Sequence, residues 1–133
     1  MVKVFLGGTC NESNWRDILI TKLDKTKVDY FNPVVDDWTE ECQKREMYER
    51  EHCDFCLYVI TPLMTGVYSI AEVTDDSNKR PEKTLFCVLH EDNNKKFTGA
   101  QLKSLYQVCN LVSSNNGKCF ASLDDIANYL NNL

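Results

Sequence analysis

The sequence predicts an α/β fold in which a parallel sheet of four or five strands carries helices on both faces. Short apolar runs alternate with helical patterns four or five times along the 133 residues. The runs at residues 55–60 and 84–89 are unbroken, which is typical of strands buried on both faces. Because parallel strands need crossover connections, the intervening helices should cover the sheet. A chain of this length builds one core, so we expect a single domain over residues 1–133.

The first strand is expected at residues 2–6, where the apolar sequence V-K-V-F-L runs directly into glycine. A helix should follow from Trp15 to about Leu23, because apolar side chains recur there at helical spacing. Either Asn11 or Ser13 can cap this helix, and Arg16 is expected to face solvent. These segments form the first strand–helix unit.

The second strand–helix unit is more polar than the first. Residues 28–31 form a short strand that ends at Asn32 and Pro33. Thr39 can cap a helix that runs to about His52 and begins with acidic residues, which suit the positive end of a helix dipole. Few of its side chains are apolar, and the candidates for its inward face are Cys42, Met47 and Tyr48.

The third unit contains the most apolar strand, at residues 55–60. Pro62 breaks this strand because proline has no N–H to donate to the sheet. A helical pattern begins near Val67, carries Glu72 in its first turn and is closed by Pro81. A carboxylate should therefore lie near the start of a helix, just beyond the end of a buried strand.

The remaining segments follow the same logic of apolar runs, turn residues and helix caps. They are a strand at 84–89, a polar loop at 92–96, a helix from Phe97 or Thr98 to about Asn110, a short strand at 119–120 and a helix at 123–130 capped by Ser122. With these elements the strands number four or five.

Charge and composition exclude several classes of protein. The net charge is −5, and a surface of that sign does not favour DNA or RNA polymers. No apolar run approaches the ~20 residues that span a bilayer, so we expect no membrane association. The N-terminus lacks the apolar core of a secretory signal, and we therefore expect a cytoplasmic protein.

The seven cysteines predict a reducing compartment rather than a disulfide framework, because their number is odd and Cys56 and Cys87 lie in apolar runs. Cys53 and Cys56 have the spacing of a zinc or redox motif. No second pair at metal spacing accompanies them. We therefore expect neither a metal site nor a cofactor.

Two loops that follow neighbouring strands are candidates for binding a small molecule. Backbone amides of Gly7, Gly8 and Thr9 can hold a phosphate or a sugar hydroxyl, although a plain tight turn explains the same residues. After the second strand, an aromatic side chain stands among polar ones, a set that suits stacking and hydrogen bonding of a nucleobase. An ordinary surface loop is the alternative for this set, which comprises Asn32, Asp36, Asp37 and Trp38.

Glu72 is the candidate catalytic residue, because ligands of open α/β sheets bind beyond the carboxyl ends of the strands. The competing interpretation is structural. Ser69 and Glu72 have the spacing of a capping box, in which the glutamate only satisfies an amide at the start of a helix. The pattern alone leaves both interpretations open.

The chain resembles the nucleoside 2-deoxyribosyltransferase-like family over roughly residues 2–90. The resemblance implies a flavodoxin-like (Rossmann-like) sheet, with Glu72 as the nucleophile and Glu46 as a second acidic residue of the site. It also implies substrate contacts from Gly66, Tyr68 and Ser69. The segments that carry it are V-F-L-G-G-T-C at 4–10, W-R at 15–16, Y-F-N-P-V-V-D-D-W at 30–38, C-D-F-C-L-Y-V-I at 53–60 and G-V-Y-S-I-A-E-V-T-D-D-S at 66–77.

The sequence departs from the better-studied members of the family in carrying Glu instead of Asp at position 46, and more seriously in the first strand. Better-studied members carry a tyrosine in the first strand that touches the nucleophile, and Phe5 stands there in this chain. Tyr68 is a candidate substitute for the missing hydroxyl. The resemblance also implies a site completed by a neighbouring subunit, so we expect a homodimer or a larger homo-oligomer.

The activity implied by the resemblance is cleavage of an N-glycosidic bond. The substrate would be a deoxynucleoside or its 5′-monophosphate, and the chain would act as a deoxyribosyltransferase or an N-glycosidase through a glycosyl-glutamate intermediate. Two alternatives remain open. One is a glycohydrolase acting on NAD or a similar dinucleotide, and the other is a protein that binds a nucleotide without turnover.

Overall fold

A computed structural model describes residues 1–10 and 12–133 and confirms the α/β, flavodoxin-like arrangement. Its five parallel strands lie in the order β2-β1-β3-β4-β7, and a two-stranded hairpin, β5-β6, stands apart. The strands are β1 (Val2–Gly8), β2 (Val28–Phe31), β3 (Phe55–Ile60), β4 (Thr84–Val88), β5 (Glu91–Asp92), β6 (Lys95–Lys96) and β7 (Lys118–Phe120). The helices are α1 (Trp15–Lys22), α2 (Glu40–His52), α3 (Tyr68–Lys79), α4 (Gly99–Ser114) and α5 (Leu123–Asn131), with a 3₁₀ turn at Pro81–Lys83.

Alternation along the central strands divides the core between the two faces of the sheet. On β1, Val4 and Leu6 point to one face and pack with residues of α1 and α5. Phe5 points to the opposite face and packs with residues of α3 and α4. Along β3 and β4 the buried side chains likewise alternate between the two groups, as the unbroken apolar runs predicted.

Helix α2 does not bury the residues that its sequence suggested. Met47 and Tyr48 are exposed, Cys42 is half-buried, and the buried residue of this helix is Glu49. Its carboxylate is held by Lys3, at 3.0 Å from Nζ to Oε2, and by Arg45, at 3.0 Å from Nε to Oε1. The expected inward face was therefore wrong, because ion pairs make a polar face acceptable for burial where apolar contacts were assumed.

Helix α1 differs from expectation at its start and on one face. The residue at its N-cap is Asn14, without a side-chain cap, while Ser13 accepts from the Trp15 amide at 3.4 Å. The other proposed cap, Asn11, lies outside the described residues. Arg16 was expected to face solvent but is buried, since its guanidinium donates to the carbonyl group of Leu6 within β1 and to that of Thr9 just after the strand.

Helix α3 begins one residue later than the sequence pattern indicated. Val67 is its N-cap and provides no side-chain cap, so Ser69 and Glu72 do not form the capping box. Glu72 is the fifth helical residue and lies beyond the first turn, which weakens the contribution of the helix dipole. Structural capping therefore does not explain this glutamate.

The loop expected at residues 92–96 is instead the hairpin β5-β6, whose turn residues Asn93 and Asn94 have φ of 49° and 65°. Across residues 1–10 and 12–133, every helix is too short or too polar to cross a bilayer.

Candidate active site

A cleft of about 450 Å³ opens at the carboxyl ends of β1 and β3. Parallel strands end together on this edge, and the loops that follow them form the walls. Nine of the residues suggested by the sequence line the cleft: Gly7, Gly8, Thr9, Trp38, Glu46, Gly66, Tyr68, Ser69 and Glu72. The structure thus brings the acidic pair, the aromatic side chain and the glycine turn into one place.

Three suggested residues lie outside this lining. Asn32 accepts from the amide of Val34 at 3.0 Å, which folds the loop locally, and Asp36 and Asp37 are exposed. The loop instead turns Pro33, Val34 and Val35 toward the cleft. The wall beside Trp38 is therefore mostly apolar, where the sequence had suggested carboxylates to accept from a nucleobase.

The glycine turn is shaped by close contact with β3. Gly8 has φ of 117°, and a Cβ at this position would lie 2.1 Å from the carbonyl oxygen of Val59. A Cβ on Gly7 would lie 2.7 Å from the ring of Tyr58. Glycine is required at both positions for the turn to pass this close to β3.

Thr9 fixes the same turn to the neighbouring loop. Its hydroxyl accepts from the amide of Thr61 at 3.0 Å, and its carbonyl accepts from Trp15 Nε1 at 2.7 Å and from Arg16 at 2.6 Å. Arg16 also donates to the carbonyl of Leu6 at 3.0 Å. This side of the cleft is thus a rigid wall whose carbonyl groups are already paired.

Glu72 reaches the cleft from α3 and is 8% exposed. Burial raises the pKa of its carboxyl group to about 7, because a charge withdrawn from water loses hydration. Arg50 opposes the shift, and the nearby charges of Glu46 and Asp76 add to it. Near neutral pH this group is therefore present in both its charged and its neutral form.

The position of the missing tyrosine is occupied by aromatic packing. The Phe5 ring stacks on Phe31 with centroids 5.9 Å apart and also meets Tyr58 at 6.2 Å. Tyr58 is buried and donates its hydroxyl to Asp76. Tyr68, suggested as a substitute, is 71% exposed at the rim of the cleft.

The charged group found beside Glu72 is Arg50. Its Nε lies 3.9 Å from Glu72 Oε2, and its Nη2 lies 3.4 Å from the main-chain oxygen of the same residue. Sequence reasoning missed this arginine, although a signal was present. Glu46 and Arg50 are four residues apart on α2, as Glu72 and Asp76 are on α3, so each pair shares one helix face.

Glu46 is the second acidic residue of the cleft and is half-buried. Desolvation raises the pKa of its carboxyl group, against the opposing influence of Trp38, Arg50 and Arg16. Two carboxyl groups whose pKa values are raised in one cleft have the chemistry that a nucleophile and a proton donor require. Within residues 1–10 and 12–133, no group of three or more His, Cys, Asp or Glu side chains is arranged to hold a metal ion.

Comparison with known proteins supports the family suggested by these residues. The family model described as "Nucleoside 2-deoxyribosyltransferase like" matches residues 1–91. No curated protein and no solved structure gives a significant match to the chain. The matched segment covers β1 to β4 and contains every described residue that lines the cleft. The chain belongs to the nucleoside 2-deoxyribosyltransferase-like family.

Proposed function

We propose that this protein cleaves the N-glycosidic bond of deoxynucleosides or their 5′-monophosphates, with Glu72 as the nucleophile. The observation that carries the proposal is a buried glutamate in a cleft at the carboxyl ends of the strands, with no capping role to explain it. Family membership supports the same class of substrate.

In the first half of the reaction, a carboxylate oxygen of Glu72 bonds to the anomeric carbon as the carbon–nitrogen bond breaks. The bonding electrons leave with the base, and Glu46 supplies the proton that the departing nitrogen takes up. The product is a glycosyl ester on Glu72. A pKa of about 7 leaves Glu72 charged in about half of the molecules at neutral pH.

In the second half, water or the nitrogen of another base attacks the anomeric carbon and releases Glu72. Glu46 now accepts the proton that the attacking group loses. Two displacements at one carbon retain its configuration, as in retaining glycosidases. Trp38 lies beside Glu46, and the Trp38 ring can stack on the base that Glu46 protonates.

The test is release of free base, followed by chromatography, from a panel of deoxynucleosides, their monophosphates and NAD. We expect release by the wild type and a loss of roughly a thousandfold or more in the Glu72→Gln variant. Glu82→Gln, at an exposed site, is the matched control and should retain activity. Wild-type turnover by Glu72→Gln on a confirmed substrate would refute the assignment.

One observation favours a second candidate, a protein that binds a nucleotide without turnover. Phe5 offers no hydroxyl to the nucleophile, so the cleft lacks the partner that the family resemblance implied. Calorimetry separates the two candidates, since binding of an intact nucleotide with no base released after prolonged incubation is expected only of the second. Release of nicotinamide from NAD in the same panel would identify a glycohydrolase of dinucleotides.

A further inference from the structure

Arg50 lies on α2, and its guanidinium reaches α3, where it contacts the candidate nucleophile. It contacts Glu72 twice, through a side-chain oxygen at 3.9 Å and the main-chain oxygen at 3.4 Å. The remaining contacts of the guanidinium are with acidic side chains. Nη2 donates to Asp75 at 2.9 Å and to Asp76 at 3.0 Å, and Nε donates to Asp76 at 3.2 Å.

The anchor of this arginine is itself held from three sides. Asp76 is fully buried and accepts hydrogen bonds from Nε and Nη2 of Arg50, which fix the plane of the guanidinium. Arg80 donates to the same carboxylate at 2.6 Å, and the buried Tyr58 donates its hydroxyl to the other oxygen. These contacts hold the Arg50 guanidinium beside Glu72 and restrict its movement toward solvent.

We propose that Arg50 is a positioning residue for Glu72: its charge favours the ionised form of the carboxylate, and its hydrogen bond to the main chain of Glu72 ties that residue to α2. Asp76, Tyr58 and Arg80 form the frame that holds Arg50 in place. Phe5 has no polar atom to offer the nucleophile, so the polar side chain beside the Glu72 carboxylate is Arg50. The consequence for catalysis rests on the proposed function, whereas the effect on the charge of Glu72 does not.

The charged groups around Glu72 explain why a cation is needed there. Glu46 on α2 and Asp76 on α3 are both acidic and raise the pKa of Glu72, as burial does. Arg50 is the group that lowers this pKa. Tyr58 on β3 brings no charge, because burial raises its own pKa and preserves the phenol. Across the cleft, Arg16 donates to the main-chain carbonyls of Leu6, Gly8 and Thr9.

Loss of Arg50 should raise the pKa of Glu72 by about one unit or more, the effect of removing an opposite charge at this distance. At neutral pH the ionised fraction would then fall from about half to about a tenth. The measurement is a carbon-13 NMR titration of protein labelled at glutamate carboxyl carbons, with the Glu72 signal assigned by its absence in Glu72→Gln. No substrate is required.

Two neutral variants, Arg50→Met and Arg50→Gln, should both raise the pKa of Glu72. Arg50→Gln keeps an amide donor toward Asp76, so it can serve if Arg50→Met does not fold. Arg50→Lys keeps the charge and should restore most of the wild-type value. Arg45→Met is the matched control, because this exposed arginine on the same helix pairs with Glu49 and not with Glu72. Circular dichroism verifies the fold of each variant.

The inference is overturned if a folded neutral variant titrates Glu72 at the wild-type pH, or if Arg50→Lys titrates like the neutral variants. A kinetic measurement on a confirmed substrate then tests the consequence for catalysis. The acid limb of the kcat profile should move to higher pH in Arg50→Met by the shift seen in NMR, with little change in KM. An NMR shift in a protein without turnover would uphold the role of Arg50 and refute the proposed function alone.

Discussion

Replacing Glu72 with glutamine should stabilise the folded protein at alkaline pH while abolishing turnover. The amide has nearly the same size as the carboxyl group and carries no charge into the buried site. Arg50 keeps its pairs with Asp75 and Asp76, so the substitution leaves no arginine unpaired. A residue that destabilises its own fold is expected where a buried charge is needed for chemistry.

The pKa of Glu72 gives the sign and the size of this effect. Its value rises from 4.5 to about 7 on folding, so the folded state binds the proton more tightly than the unfolded state. The stability that the neutral group confers is complete below about pH 4.5 and is lost as the pH rises through about 7. Wild-type protein at pH 8 should therefore be about 3 kcal/mol less stable than Glu72→Gln. At pH 5 the difference in stability between the two proteins should be smaller than about 1 kcal/mol.

Urea unfolding of both proteins at pH 5 and pH 8 measures the difference directly. In thermal unfolding, the difference at pH 8 corresponds to roughly 10 °C in Tm for a domain of this size. The control is Glu82→Gln, which removes an exposed carboxylate on the 3₁₀ turn and should change neither value appreciably. Equal stability of wild type and Glu72→Gln at pH 8, or a gain of the same size at both pH values, would refute the reasoning.

Three further predictions concern the walls and rim of the cleft. Trp38→Ala should weaken binding of a nucleoside by ~1–3 kcal/mol in calorimetry, the range for stacking of a base on an aromatic ring, and unchanged affinity would place the base elsewhere. Gly8→Ala should destabilise the fold by roughly 2–4 kcal/mol because its Cβ would overlap the Val59 carbonyl, whereas Gly66→Ala, where nothing lies within 4 Å, should be nearly neutral in the same urea assay. We also expect a homodimer or larger oligomer joined through the exposed Val67 and Tyr68, and a light-scattering mass near 15.4 kDa would refute it.

Apolar patterns in the sequence predicted the sheet well because burial on both faces leaves little choice of residue. The run at Phe55–Ile60 was expected to form a strand buried on both faces, and such burial agrees with its place between β1 and β4. Helix α2 was harder to interpret, since its inward face is polar and its burial depends on partners distant in sequence. Lys3 and Glu49, for example, are paired across 46 positions.

The sequence predicted which residues at the strand ends form the candidate site. It did not predict the ion pairs around them. Strand ends bring Gly8 and Glu72 to one edge by topology alone. The contact between Arg50 and Asp76 depends on how two helices pack side by side, which local spacing does not determine. The exposure of Asp36 and Asp37 likewise depends on the path of the loop after β2, which no periodic pattern in the sequence determines.

The residues that line the cleft come from one part of the chain, and the rest of the chain supports the sheet. Every described residue that lines the cleft falls between Phe5 and Glu72, while α4, β7 and α5 contribute only to the core and the edge of the sheet. Substitutions, resurfacing or fusions in the last third of this chain should therefore leave the cleft unchanged, as long as the apolar contacts with the sheet are kept.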